Sequence, residues 1–413
     1  MDARIAIGGL IVIILILGGV IGYYATRSEE GPSLASISLS SASGDVGDTI
    51  TISGTGFDAG ATVSVKYDGT TVKTATAGTD GDFQTSLTIP QSDFGVHSIT
   101  TDPVSSARLF EIKKLKIALC ISGSLNDSGW NAAMYYAARE VEENLGLEVS
   151  IAEGLGVIDI DAALIDYAER GNKIIIAHSF PFRDSVERIA PDYPNTWFLP
   201  TTVFNPIWAN EASFLFPGHE AAYLAGIIAG SISETGNIGV ISGFRIPTSA
   251  AIYNNFKLGA QLVNPDINVL ESYPGIWDDM TKGRETALAM IDTGNVDVIL
   301  SRGDGLTLGV IQACALRDIY MIGDIIDQNL LAPNNIVTSC VWDLKVPLTK
   351  VVEMYRDGTL ENIAYSWGLK DDCVYLAPFH GLDNIVPQSA KDLVNEIIEN
   401  VKAGTFTIPY ITT

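Results

Sequence analysis

The rhythm of apolar and polar positions changes twice along the chain. Residues 5–25, IAIGGLIVIILILGGVIGYYA, form a single apolar run without a charge. At 1.5 Å per residue a helix of that length spans a hydrocarbon core of roughly 30 Å, so the run predicts a transmembrane helix. From about residue 33 to 112 the apolar positions alternate one by one with polar ones, in DTITISGTGF, ATVSVKYDGTTV, DFQTSLTIP and HSITT. Period-two runs separated by Gly, Asp and Ser clusters predict a small antiparallel sandwich, and the Asp-Gly of YDGTT predicts a hairpin.

Beyond residue 113 the pattern lengthens. Continuous apolar runs at 115–122, 173–178, 237–242, 268–273, 296–301 and 319–323 alternate with amphipathic segments at 131–143, 160–169, 219–233, 249–263, 281–292 and 307–317. Strands apolar on both faces, alternating with helices, predict α/β architecture with covered parallel sheets. So long a stretch divides into two lobes, expected to meet near 233–237. The predicted organisation is an anchor at 1–28, a β-sandwich at 29–112 and a two-lobed domain at 113–413. The first lobe falls at about 113–234, the second at about 235–340, and crossover segments at 341–413.

In such folds ligands lie beyond the carboxyl ends of the strands. Those ends read Gly123-Ser124-Leu125-Asn126-Asp127-Ser128-Gly129-Trp130, His178-Ser179-Phe180, Ser242-Gly243-Phe244-Arg245, Tyr273-Pro274-Gly275-Ile276-Trp277-Asp278-Asp279, Ser301-Arg302-Gly303-Asp304 and Gly323-Asp324. An aromatic recurs beside an Asp, Asn or Ser. Rings that stack and carboxylates that accept O–H and N–H donors suit a flat heterocycle carrying hydroxyls.

Charge narrows the choice of partner. Lys and Arg number 25 against 49 Asp and Glu, a net charge of −24, which repels nucleic acid and phosphate-rich ligands. The 47% apolar and 18% charged fractions are those of a folded chain. The four cysteines lie far apart without C-x-x-C spacing, and the four histidines are scattered, so neither a disulfide framework nor a metal site is signalled. His219-Glu220 opens like a zinc-protease helix, but Tyr223 stands where the second histidine belongs. Gly303-x-Gly305-x-x-x-Gly309 imitates a dinucleotide fingerprint, but Asp304 sits where a pyrophosphate needs bare amides. No catalytic residue, cofactor or metal is therefore expected, and the chain does not read as an enzyme. The apolar run at 5–25 exceeds the usual signal-peptide core, and no A-x-A-like site precedes TRSEEGPS. Arg4 lies before it and Glu29 and Glu30 after it, so a single-pass protein of the cell membrane is expected, with its bulk outside.

Two resemblances sharpen this reading. The stretch 29–112, with GDTITISGTGF as its most telling piece, resembles immunoglobulin-like spacer modules of prokaryotic surface proteins. From about 116 to 409, NDSGWNAA, HEAAYLAGIIAGSISETGNIGVISG, NNFKLGAQLVNPDINV and IDQNLLAPNNIVTSCVWD resemble motifs of the basic membrane protein family. These substrate-binding proteins of ABC importers include the purine nucleoside receptors. The resemblance implies a type I periplasmic-binding-protein fold of two Rossmann-like lobes, a nucleoside-like ligand and an ABC permease as partner.

Carried over by position, the resemblance makes Trp130 the aromatic that stacks on a base. Asp278 or Asp279 becomes a second-lobe carboxylate, and Arg302 and Asp304 fall on a loop facing the ligand. Ser179 and Phe180 edge the pocket, and Phe244 is the candidate opposing wall. Asn126, Asp127, Trp277 and Asp324 complete the candidate ligand set. Two positions depart from the family: Ile121-Ser122 replaces an Asp-Asn pair, and Ile325 replaces an Asp. Losing a directed hydrogen bond costs about 1 to 3 kcal/mol, enough to alter ligand choice.

Overall fold

A computed structural model describes residues 35–103, 107–127, 129–202 and 205–413. The expected anchor at 5–25 lies outside the described residues. Among the described residues no helix is long and apolar enough to cross a membrane. The chain separates into two compact units at Lys113 and Lys114.

In the first unit, strands Ser36–Leu39, Thr49–Thr55 and Phe83–Thr88 form one antiparallel sheet. A second sheet orders Ser43–Gly44, Arg108–Ile112, Gly95–Asp102, Thr62–Tyr67 and Thr70–Thr76 side by side. Alternation along each strand sends Ile50, Ile52, Val63, Val65, Ile99 and Phe110 into a common core. The predicted hairpin joins Thr62–Tyr67 to Thr70–Thr76 through Asp68 and Gly69, both at positive φ, a backbone whose twist matches that of paired strands.

The second unit carries two parallel sheets. The first orders Glu148–Ala152, Lys116–Ile121, Ile174–His178 and Trp197–Pro200. One of its faces packs against the helix Trp130–Leu145 and the other against Ile160–Glu169 and Arg183–Ile189, so Ile174–His178 is buried throughout. The second sheet orders Asn268–Ser272, Asn237–Ser242, Val298–Arg302, Tyr320–Ile325 and Ile336–Trp342, closed by the antiparallel Val374–Leu376. Helices Gly218–Ile232 and Pro247–Val263 cover one face, Met280–Gly294 and Gly305–Arg317 the other. The result is an α/β fold of two parallel-sheet lobes.

Among the described residues the chain passes between the lobes three times. Ser213–Leu215 pairs in parallel with Ala364–Ser366, and the helix Lys345–Arg356 returns to pack on Trp130–Leu145 of the first lobe. The patterning put the first passage near 234, but it lies upstream of Gly218. Helix Gly218–Ile232 already belongs to the second lobe, because glycines let it press against Pro247–Val263. A Cβ on Gly226 would sit 2.0 Å from the Phe256 carbonyl oxygen, and one on Gly259 would sit 1.9 Å from that of Tyr223. Backbone cannot yield as a side chain can. Gly259→Ala is therefore expected to destabilise the full chain by about 1 to 3 kcal/mol, read as a lowered urea midpoint.

Candidate functional site

Both sheets reverse their order between the first and third strands, and the loops beyond those strands face one cavity of about 710 Å³. That is the size range of small-molecule sites. Ser122, Asn126, Asp127, Trp130, Ser179 and Phe180 line it from the first lobe, and Trp277, Asp278, Arg302 and Asp304 from the second.

The turn before the helix Trp130–Leu145 is built on Asp127. Its Oδ1 accepts from the Gly129 and Ala132 amides, both at 2.9 Å, and its Oδ2 from the Asn131 amide at 2.8 Å and Asn131 Nδ2 at 2.7 Å. A carboxylate offers about four acceptor sites, so capping consumes Asp127 and leaves little for a ligand.

Trp130 is fixed by a closed circuit. Its Nε1 donates to Ser179 Oγ at 2.8 Å, and the Ser179 amide donates to Thr201 Oγ1 at 3.1 Å. The Thr201 hydroxyl donates to His178 Nδ1 at 2.9 Å, and His178 Nε2 donates to the Trp130 carbonyl at 3.1 Å. Burial pushes the His178 imidazole down to about 3, so it is neutral, with a donor and an acceptor placed as the circuit requires. Its ring stacks on Trp130 at 4.2 Å. With both nitrogens committed, His178 offers no base to the cavity.

Phe216 and Trp342 meet Trp130 edge-on at 5.5 and 5.7 Å and stack on each other at 5.8 Å. Strand-end reasoning missed both, because they lie on segments that pass between the lobes. The apolar run IVTSCVW, ending at Trp342, was the available signal.

Ser179 holds φ +107°, a conformation rarely adopted outside glycine. Its neighbour Phe180 stands 72% exposed on the cavity rim. Ile325 is a β-branched residue at φ +72° that also lines the cavity.

Two expected ligand contacts are displaced. Phe244 does not line the cavity; its ring leans on Trp277 at 5.3 Å, and Trp277 forms that wall. Gly243 makes this possible, since a Cβ there would sit 2.2 Å from the Trp277 ring. Asp324 is buried behind the wall, because neighbouring residues of the strand Tyr320–Ile325 face opposite ways and Ile325 takes the inward position. Of the paired aspartates, Asp278 faces the cavity and its Oδ1 accepts from the Gly305 amide at 3.1 Å. Asp279 caps its own helix, accepting from Lys282 at 2.9 Å.

Arg302 is the cation of the site. Its guanidinium lies 4.8 Å from the Trp342 ring centre and its Nε 4.0 Å from Asp324 Oδ2. Burial lowers the Arg302 pKa, while Asp324 works against that loss. Burial pushes the Asp324 carboxyl up to about 6, with Arg302 opposing. The Asp304 carboxyl is pushed up to about 7, by burial first, then by Asp127, against the Trp130 amide. Asp127, Asp278 and Asp304 line the cavity with Arg302, an excess of carboxyls that disfavours an anionic ligand.

The glycines that imitate a dinucleotide fingerprint serve packing. A Cβ on Gly305 would sit 2.2 Å from Asp278 Oδ1, and one on Gly309 would sit 1.9 Å from the Met280 carbonyl oxygen. Among the described residues no group of three His, Cys, Asp or Glu side chains is placed to hold a metal. The cavity thus offers ring faces, hydroxyls and carboxylates, which suit binding a flat, uncharged molecule.

Residues 114–406 match the Bmp family, described as ABC transporter substrate-binding protein PnrA-like. The chain is 30% identical over 298 residues to a purine-binding protein of Brucella abortus, covering 71% of this chain and 82% of that one. It is 26% identical over 296 residues to basic membrane protein A of Borreliella afzelii, covering 68% and 90%. A solute-binding protein of an ABC transporter system from Aeropyrum pernix K1 shares the fold, with a TM-score of 0.63 and 21% identity over 71% of this chain and 94% of that one. Together with the two-lobed cavity, these likenesses show that the chain belongs to the Bmp family of ABC transporter substrate-binding proteins, which bind small molecules and are not enzymes.

Proposed function

We propose that the protein captures a purine nucleoside or related heterocycle outside the cell, between two closing lobes, and presents it to an ABC permease. The single observation that carries this reading is the aromatic corner of Trp130, Phe216 and Trp342 opening onto a cavity with directed polar groups. A purine offers the flat face such a corner needs, and a ribose offers hydroxyls to Asp278 and Asp304. The purine-binding name of the Brucella abortus relative supports the same class. Residues 5–25 tether the protein to the membrane, and the immunoglobulin-like β-unit acts as a spacer.

The preference for nucleoside over nucleotide follows from charge. A phosphate would meet Asp127, Asp278 and Asp304, and among the described residues that line the cavity Arg302 is the only cation. Isothermal titration of the full chain with adenosine, guanosine, inosine, their 5′-monophosphates and glucose tests the reading. Nucleosides are expected to bind at least about tenfold more tightly than their monophosphates. Binding of glucose with silence toward every nucleoside would sink the nucleoside reading and leave a sugar receptor.

Stacking gives a second test. Base stacking on an aromatic ring is worth about 1 to 3 kcal/mol, so Trp130→Ala should weaken nucleoside binding by that amount. Trp130→Phe keeps a ring and loses only the hydrogen bond to Ser179, and should retain most of the affinity. Equal affinity of the alanine variant and the native protein would return Trp130 to ordinary packing.

A further inference from the structure

Asp304 stands where a residue usually caps its own helix, here Gly305–Arg317, yet its side chain makes no capping bond there. Asp278 takes that place by accepting from the Gly305 amide at 3.1 Å. Asp304 turns instead toward the other lobe. A Cβ built on Gly129 would sit 3.1 Å from Asp304 Oδ1 and 3.9 Å from its Cα, so only a glycine admits this approach without displacement. The Trp130 amide acts on the same carboxyl. Trp130 opens a helix of 16 residues, whose first amides favour a carboxylate. Asp127 already takes the amides of Gly129, Asn131 and Ala132. Among the described residues the Trp130 amide is the remaining one of the first turn, and the Asp304 carboxyl is the group set against it.

We propose that Asp304 is a positioning residue of the closed state, reaching across the cleft to cap the first lobe's helix at Trp130, and that closure takes up a proton at this carboxyl. The proposal rests on the reading that the lobes close around a ligand.

The charged groups facing Asp304 are Asp127 from the first lobe and Asp278 and Arg302 from its own. In the closed arrangement burial raises its carboxyl from the ordinary 3.8 to about 7; Asp127 and Asp278 add to the rise, while the Trp130 amide and Arg302 oppose it. Parting the lobes removes Asp127, the Trp130 amide and part of the burial together, and returns Asp304 toward its ordinary value. A carboxyl whose pKa is raised in one state favours that state at low pH, and the advantage fades as pH climbs through the raised value. Closure is therefore favoured by acid and loses that favour as pH rises toward about 7.

The test uses the full chain without ligand, carrying one nitroxide on an engineered surface cysteine in each lobe. The four native cysteines are buried and escape labelling. Pulsed dipolar spectroscopy then reads closed and open populations from pH 5.5 to 8.5. The native closed-to-open ratio is expected to fall about tenfold per pH unit near pH 6 and to level off above 7. Asp304→Asn keeps an acceptor for the Trp130 amide but cannot titrate, so its ratio should lose the native tenfold fall per pH unit. Asp304→Ala removes the acceptor as well as the titration, so it should be more open than the asparagine variant at every pH. Asp324 is untouched in both variants, so the comparison removes whatever its titration adds. A native distribution that does not change with pH, a native slope in the asparagine variant, or equal closure in the alanine and asparagine variants would each overturn the proposal. No ligand enters the measurement, so a failure to bind nucleosides is a separate outcome.

Discussion

A strand packed under helices on both faces can meet solvent or ligand only where it ends. That constraint governs the second unit. Within Ile174–His178 every residue is buried, and its chemistry begins at its last residue, where His178 braces Trp130. Lys116–Ile121 behaves alike: the chain stays apolar up to Ile121 and becomes a polar turn at once. Because both sheets reverse order between the same two strands, four such ends converge, and a cavity forms without any strand being distorted in its middle.

This explains what could be read from the sequence. Long apolar runs announced the strands Lys116–Ile121, Ile174–His178, Asn237–Ser242, Asn268–Ser272, Val298–Arg302 and Tyr320–Ile325, and their ends supplied Trp130, Asp278, Arg302 and Asp304. Phe216 and Trp342 escaped because their place depends on chain passages between lobes, a property of topology that no local pattern encodes. Phe244 was misplaced because the space beside Gly243 went to Trp277, a partner thirty-four residues further on. Asp324 was misplaced by one step of strand alternation, which sends Ile325 inward.

The site also divides labour among like residues. Four aspartates surround it, and each has a different occupation: Asp127 caps a helix, Asp278 holds the Gly305 amide, Asp324 lies behind Arg302, and Asp304 faces the opposite lobe. Identical side chains acquire different acidities because their neighbours differ, burial raising Asp324 to about 6 and Asp304 to about 7. The strained backbones at Ser179 and Ile325 both line the cavity, one from each lobe, where surrounding packing can hold them.

Phe216 and Trp342 lie on two of the segments that pass between the lobes. In the closure proposed above, the aromatic floor would sit close to the axle, and the rims that carry Phe180 and Trp277 would be its levers. A small rotation at the floor would then sweep the distant rims through a longer arc. Occupancy at the centre would thereby be amplified into a change of outline, a form that a partner such as the proposed permease could detect.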